Sequence, residues 1–209
     1  MKRLSCTTCL RAQSSCICQW ITPTAHASQV LILQHPSEVT QAKGSARLLH
    51  LSLQHSLMVT GEVFDKQMLG SLLNTQHYDT VLLYPDSGQD MTLGLSLALE
   101  SAPAPAVKLT PAAAQDPARV RLVVLDGTWR KSRKMLYLNP LLQQLPRLSL
   151  QQHTASRYSI RTAQKPHQLS TLEATCAALA HIEGSATSFA PLLAAFDGFV
   201  AQQAAYSPR

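Results

Sequence analysis

The hydrophobic pattern of this chain switches between unbroken apolar runs and stretches in which apolar residues recur every three or four positions. Val30, Leu31, Ile32 and Leu33 follow Gln29 as one run, residues 80–84 make a second that ends at Pro85, and Leu122 through Leu125 make a third that stops at Asp126. Short apolar runs closed by turn residues read as strands covered on both faces. Helical spacing takes over in residues 37–53, near 65–73, and in a basic segment that runs to Leu138 and is stopped by Asn139 and Pro140. The alternation predicts an α/β fold with a mostly parallel sheet flanked by helices.

A short strand is expected at 147–150, followed by a polar loop to residue 168. Ser170 and Glu173 have the spacing of a capping box, in which hydroxyl and carboxylate each satisfy a backbone N–H at a helix start. The helix it opens carries Leu172, Cys176 and Leu179 on one face, and a last helix is expected over 189–206. Residues 101–117, rich in Pro and Ala, read as a surface connection within one sheet. No internal repeat is present. Two units are expected: a polar, cysteine-bearing lobe over residues 1–24 and a main domain over 25–209.

Composition adds a constraint. Charged residues are only 14% of the 209, yet the balance is +6 with a pI of about 9.2, so positive charge is concentrated in patches. Patches of that kind favour nucleic acid or a phosphate-bearing ligand. No apolar run approaches the roughly 18 to 20 residues that span a bilayer, and polar residues and cysteines occupy the N-terminal region. The expectation is a soluble cytoplasmic protein with no membrane association and no obligatory protein partner.

Four of the five cysteines fall at Cys6, Cys9, Cys16 and Cys18. In a reducing compartment, four thiolates this close favour a tetrahedral zinc shell, whose binding energy can fold a lobe lacking a core of its own. Exposed or disulfide-linked cysteines are the competing reading, kept open by the single residue between Cys16 and Cys18. Cys176, on an apolar helix face, reads as a small buried hydrophobe.

Asp126 is the only carboxylate between Pro117 and Leu172, among ten lysines and arginines. It stands at the carboxyl end of a buried strand, where open α/β sheets place their ligands. Gly127 permits a sharp turn and a close approach of backbone to a ligand, and Thr128 is positioned to cap the helix that follows. A plain strand-to-helix turn, with Asp126 as a cap and Trp129 as a packing residue, is the alternative. Arg130, Lys131, Arg133 and Lys134, with Arg157 and Arg161, can neutralise phosphates, and Tyr158 can stack on an unpaired base. His35, just past the first strand, is expected to line the pocket on the RNA side. Tyr84 and Pro85 end the second strand and share the crevice if the strands are parallel.

The order of these motifs resembles that of the DTW-domain family, the tRNA-uridine aminocarboxypropyltransferases. The match comprises the four-cysteine lobe, His35 to Glu38, Tyr84 and Pro85, Leu125 to Trp129 with Arg133 to Met135, Ser156 to Arg161, and Ser170 to Ala174. It implies a SPOUT-like fold, in which a C-terminal trefoil knot builds the S-adenosylmethionine pocket. It also implies transfer of the 3-amino-3-carboxypropyl group from S-adenosylmethionine to N3 of a tRNA uridine, in the variable loop by analogy with bacterial members, releasing 5'-methylthioadenosine. Carried over residue by residue, the co-substrate pocket comprises Tyr84, Pro85, Leu125, Asp126, Gly127, Thr128 and Trp129, together with Ser170 and Thr171. RNA-facing residues map to the basic helix and to Arg157, Tyr158 and Arg161.

Asp126 is the candidate base for the N3 proton, although the surrounding cations that keep it ionised also weaken it as a base. An orienting role is the alternative. Two rival functions stand beside the main one: an S-adenosylmethionine-dependent RNA methyltransferase, and a non-catalytic zinc-bearing RNA-binding module.

Overall fold

The computed structural model describes residues 4–74, 77–85, 115–150, 169–185 and 187–206. Its elements in chain order are β1 (Gln29–Gln34), α1 (Ala46–Ser52), β2 (Ser56–Thr60), α2 (Lys66–Leu73), β3 (Asp79–Leu83), β4 (Val120–Asp126), α3 (Trp129–Leu138), α4 (Pro140–Gln143), β5 (Arg147–Leu148), α5 (Thr171–Ile182) and α6 (Ala190–Ala205). The five strands form one sheet in the order β2-β1-β4-β3-β5, and every pair is parallel. All carboxyl ends therefore share one edge, which brings His35, Gly61, Tyr84 and Asp126 to the same side of the sheet.

Side chains alternate across a strand, and each face has its own cover. Val30, Ile32, Leu122 and Val124 pack against Leu48 and Leu49 of α1, Leu172 and Leu179 of α5, and Phe196 and Phe199 of α6. Leu31, Leu33, Val123 and Leu125 pack against Leu69 and Leu73 of α2, Met135 and Leu136 of α3, and Leu142 of α4. Burial on both faces explains why β1 and β4 read as continuous apolar runs.

Three boundaries differ from the sequence expectation. The helix expected over 37–53 is a 3-10 turn at Pro36–Glu38, a series of single turns, and then only α1. Val39 and Thr40 are β-branched and Gly44 is a poor helix former, so the segment between them does not propagate a helix. The edge strand β2 was not expected. Its half-exposed residues follow α1 by three positions and lack the apolar density of β1. The strand expected over 147–150 pairs only at Arg147 and Leu148.

The N-terminal lobe consists of a bridge between Ser5 and Ala12 and 3-10 turns at Gln13–Ser15 and Cys18–Trp20. Cys9 and Ile17 are buried in the same core as Phe196 and Phe199, so the lobe docks on α6. Trp20 donates its indole N–H to Gln202, Gln202 donates to Cys16 O at 3.1 Å, and Tyr206 donates to Ser14 O at 2.7 Å. A Cβ on Gly198 of α6 would lie 2.1 Å from the Trp20 ring, so only glycine admits the indole there.

Among the described residues no helix is long and apolar enough to cross a membrane. The expected knot depends on how the backbone threads between β5 and α5, and residues 151–168 lie outside the described residues.

Candidate functional site

Asp126 ends β4 opposite Gln34, the last residue of β1, and both are buried. Gln34 Nε2 donates to Asp126 Oδ2 at 2.9 Å, and the Thr171 hydroxyl donates to Asp126 Oδ1 at 2.7 Å. The backbone joins them too, because His35 N–H donates to Asp126 O at 2.9 Å. Each oxygen of the carboxylate thus accepts from a neutral side chain, one on a neighbouring strand and one in the first turn of α5. Donors on both oxygens fix the orientation of the carboxylate.

The start of α5 is built by the capping box. Ser170 Oγ accepts from Glu173 N at 3.2 Å, and Ser170 N–H donates to Glu173 Oε2 at 2.8 Å. Ser170 is buried with its hydroxyl committed to that cap, so Thr171 is the member of the pair that reaches Asp126.

Gly127 and Thr128 behave differently from expectation. The positive-φ glycine among the described residues is Gly184, not Gly127, so the turn after β4 needs no left-handed residue. A Cβ on Gly127 would lie 3.2 Å from Lys131 Cβ and 3.4 Å from Ser132 Oγ, so what the glycine permits is close seating of α3 on the strand end. Thr128 occupies the N-cap position of α3 but makes no side-chain capping bond; its carbonyl accepts from Ser132 N at 2.8 Å. Its side chain is exposed beside the helix it was expected to cap.

Tyr84 and Trp129 meet edge to face, with ring centroids 5.9 Å apart, and Trp129 is 40% exposed. Arg147, absent from the sequence-derived site, lies over the Tyr84 ring at 5.3 Å and donates to Pro85 O at 3.3 Å. It fastens this wall from β5, and its only sequence signal is its place at the start of a short strand.

The basic helix is less unbalanced than its sequence. Lys131 pairs with Glu38 at 2.8 Å, and Lys134 pairs with Glu62 at 2.9 Å. Both acids precede the window in which Asp126 stands alone. Among the described residues Arg130 and Arg133 make no ion pair. Arg121 lies at the opposite, amino edge of the sheet, bound to Gln29 and Leu72 O and stacked on Tyr78. A cavity of about 380 Å3 at that edge, lined by Gln29, His55, Ser56 and Arg121, is remote from Asp126. Arg157, Tyr158 and Arg161 lie outside the described residues.

His35 follows Gln34, so alternation turns it to the α3 face of the sheet. Its Nε2 is 2.9 Å from Glu62 Oε1, and its Nδ1 is 2.8 Å from Ser37 Oγ and accepts from Ser37 N–H at 3.2 Å. The hydrogen bonds from Lys134 and then from His35 hold the Glu62 carboxyl below its ordinary pKa. Sequence reasoning missed Glu62, because nothing local announces that the turn after β2 returns to β1.

The four N-terminal cysteines converge, with all Sγ atoms within 4.8 Å of one another, and none is in a disulfide. Cys6 and Cys18 Sγ are 3.5 Å apart and Cys9 and Cys16 Sγ are 3.7 Å apart. A tetrahedral shell with Zn–S bonds of about 2.3 Å puts its sulfurs about 3.8 Å apart, so the donor set fits such an ion. Backbone N–H groups of Cys9 and Thr8 lower the Cys6 thiol to about 6, while burial beside the other sulfurs pushes Cys18 to about 12. Four thiols this close cannot all ionise without a cation among them. This cluster can hold a metal ion.

The chain matches the DTW domain over residues 3–204. It is 30% identical over 190 residues to a Drosophila melanogaster protein described as tRNA-uridine aminocarboxypropyltransferase 2, an alignment covering 87% of this chain and 68% of the fly protein. Proteins with the same description from Mus musculus and Macaca fascicularis are 26% and 25% identical over 187 residues. Those alignments cover 87% of this chain and 57% of each mammalian protein, so the chain spans little more than half their length. No solved structure matches the chain.

Proposed function

The chain belongs to the DTW-domain family, and from that premise we propose that it transfers the 3-amino-3-carboxypropyl group of S-adenosylmethionine to N3 of a tRNA uridine. The observation that carries the proposal is the convergence of Asp126, Gln34 and Thr171 at the carboxyl edge of a parallel sheet, beside the Tyr84–Trp129 pair and the arginines at the start of α3. The descriptions of the fly and mammalian relatives agree with it.

The sulfonium of S-adenosylmethionine activates three carbons, and which one reacts depends on which faces the acceptor. Orientation is therefore the protein's main contribution to the reaction. Asp126, held on both oxygens, suits an orienting role. It fixes a donor group of the co-substrate while Tyr84, Pro85, Leu125, Gly127, Thr128 and Trp129 wall the pocket. Thr171 sets the carboxylate and Ser170 sets the helix that carries Thr171. N3 attacks the methylene next to sulfur, the carbon–sulfur bond breaks, and its electron pair leaves on the neutral thioether 5'-methylthioadenosine.

Arg130 and Arg133 offer charge to the tRNA backbone, with Arg157, Tyr158 and Arg161 assigned the same side. The target uridine is in a loop, where N3 is not paired, and the variable loop is the assigned location. Cys6, Cys9, Cys16 and Cys18 hold one zinc ion, which ties the lobe together and takes no part in transfer. The sheet is assigned to the SPOUT-like class with a C-terminal knot, and the protein to the cytoplasm, where its tRNA substrate is found.

Nucleoside analysis of tRNA from cells lacking this protein tests the assignment. The aminocarboxypropyl uridine disappears if it is correct. Its persistence at wild-type level, or loss of a methylated uridine in its place, overturns it.

A further inference from the structure

We infer that Ser37, His35 and Glu62 form a relay that removes the N3 proton of the acceptor uridine, which leaves Asp126 to orient the co-substrate; the inference rests on the transfer reaction proposed above. The tautomer follows from the hydrogen bonds. Ser37 N–H donates to His35 Nδ1 at 3.2 Å, so Nδ1 carries the lone pair, and the ring proton lies on Nε2 facing Glu62 Oε1 at 2.9 Å. Ser37 Oγ stands 2.8 Å from the same Nδ1, in position to pass a proton to it. Hydroxyl, imidazole and carboxylate thus stand in line, the order in which a base is oriented by a third group.

The relay is also placed for the role. His35 directly follows Gln34, the residue that holds Asp126, and its backbone N–H binds Asp126 O at 2.9 Å. The two constellations therefore flank one strand end on opposite faces. The charged groups of the elements around His35 are Glu62 after β2, which it contacts, Lys134 and Lys131 of α3, and Glu38 in its own turn. Lys131 is paired with Glu38, and Lys134 pairs with the second oxygen of Glu62 at 2.9 Å, so the acid in contact with the imidazole is Glu62, which the imidazole shares with Lys134. A carboxylate there stabilises the imidazolium that forms when the proton arrives.

The step balances without another reactant. The N3–H proton passes to Ser37 Oγ as the Ser37 hydroxyl proton passes to His35 Nδ1. The N3 electron pair forms the new bond to the methylene carbon, and the carbon–sulfur pair leaves with sulfur. The proton on His35 is then released to water.

Ser37→Ala is the cleanest variant, because the backbone N–H that seats His35 remains. His35→Ala removes the acceptor itself. Rates of methylthioadenosine release are measured on full-length protein with unmodified tRNA, alongside tRNA affinity and melting temperature. The relay predicts a fall in kcat of about 100-fold for His35→Ala, with KM for tRNA little changed. It further predicts partial recovery on adding imidazole, and a smaller deficit on tRNA containing 5-fluorouridine, whose N3 proton is more acidic. A purely structural His35 gives neither recovery, and that result overturns the inference, as does Ser37→Ala at wild-type kcat on ordinary tRNA. Absence of product from the wild-type protein overturns the transfer reading itself, and the relay with it.

Discussion

Thr171, the first residue of α5, donates its hydroxyl to Asp126 Oδ1 at 2.7 Å across 45 positions of sequence. A helix start and a strand end are thereby locked through one carboxylate. Replacing Thr171 with Val keeps the shape and removes this donor from a buried carboxylate. A loss of about 1–2 kcal/mol in S-adenosylmethionine binding is expected, roughly tenfold in Kd. Titration calorimetry on Thr171→Val reads it directly, and unchanged affinity means that Asp126 does not face the co-substrate.

Gly198 is predicted to be intolerant of a side chain. A Cβ would lie 2.1 Å from Cζ3 and 2.5 Å from Cη2 of Trp20, and the indole is held by Gln202. Gly198→Ala forces the lobe away from α6 at a cost of about 1–3 kcal/mol, or a fall of several degrees in melting temperature. Adding Trp20→Leu should recover part of that loss, and equal melting temperatures for Gly198→Ala and wild type contradict the docking of the lobe on α6.

The charge pairing on α3 separates residues that the sequence treats alike. Lys131 and Lys134 are committed to Glu38 and Glu62, whereas Arg130 and Arg133 make no ion pair among the described residues. Arg130→Ala and Arg133→Ala should each reduce the slope of log K against log salt for tRNA binding by about one. Lys134→Ala is expected to change that slope less. The reverse ranking assigns RNA contact to the lysines.

Much of the fold was legible because its signals are local. The capping box at Ser170 and Glu173, the stop at Asn139 and Pro140, and the runs of β1 and β4 are each written in adjacent residues, and each appears as expected. The misreadings come from long-range partners. Asp126 looked alone because Glu38 and Glu62 reach α3 from outside its window. Gly127 looked like a conformational device because the sequence does not reveal how closely α3 approaches. The chain beyond Ala180 carried no motif, since the shape of α6 is set by Trp20 and Phe199 packing from opposite ends of the sequence.

Glu62 gives a pH signature. Lys134 and His35 hold its carboxyl below the ordinary value of 4.5, so the folded state favours the ionised form. That contribution is fully present above the unfolded-state value and is lost as pH falls through the lower folded value. The melting-temperature difference between wild type and Glu62→Gln should be largest near neutrality and should shrink steadily below pH 4.5. A difference independent of pH rules out the ion pair as its source.

Metal removal tests the lobe. The protein should carry one zinc per chain by elemental analysis, lost in Cys9→Ser, with a lower melting temperature that chelator treatment of wild type reproduces. The lobe packs on α6 and also holds the segment leading into α1, through Arg11 to Gly44 O at 2.8 Å and Arg47 to Thr8 O at 2.7 Å, but it supplies none of the side chains bound to Asp126, so S-adenosylmethionine affinity should change less than stability. Metal-free protein that melts as wild type does contradicts a structural ion.

The most direct measurement is incubation of the purified protein with unmodified tRNA and S-adenosylmethionine, followed by quantification of both products. Methylthioadenosine appearing in one-to-one step with a uridine enlarged by the aminocarboxypropyl group is the predicted result. S-adenosylhomocysteine appearing with a methylated nucleoside, or tRNA binding with no product, contradicts the account.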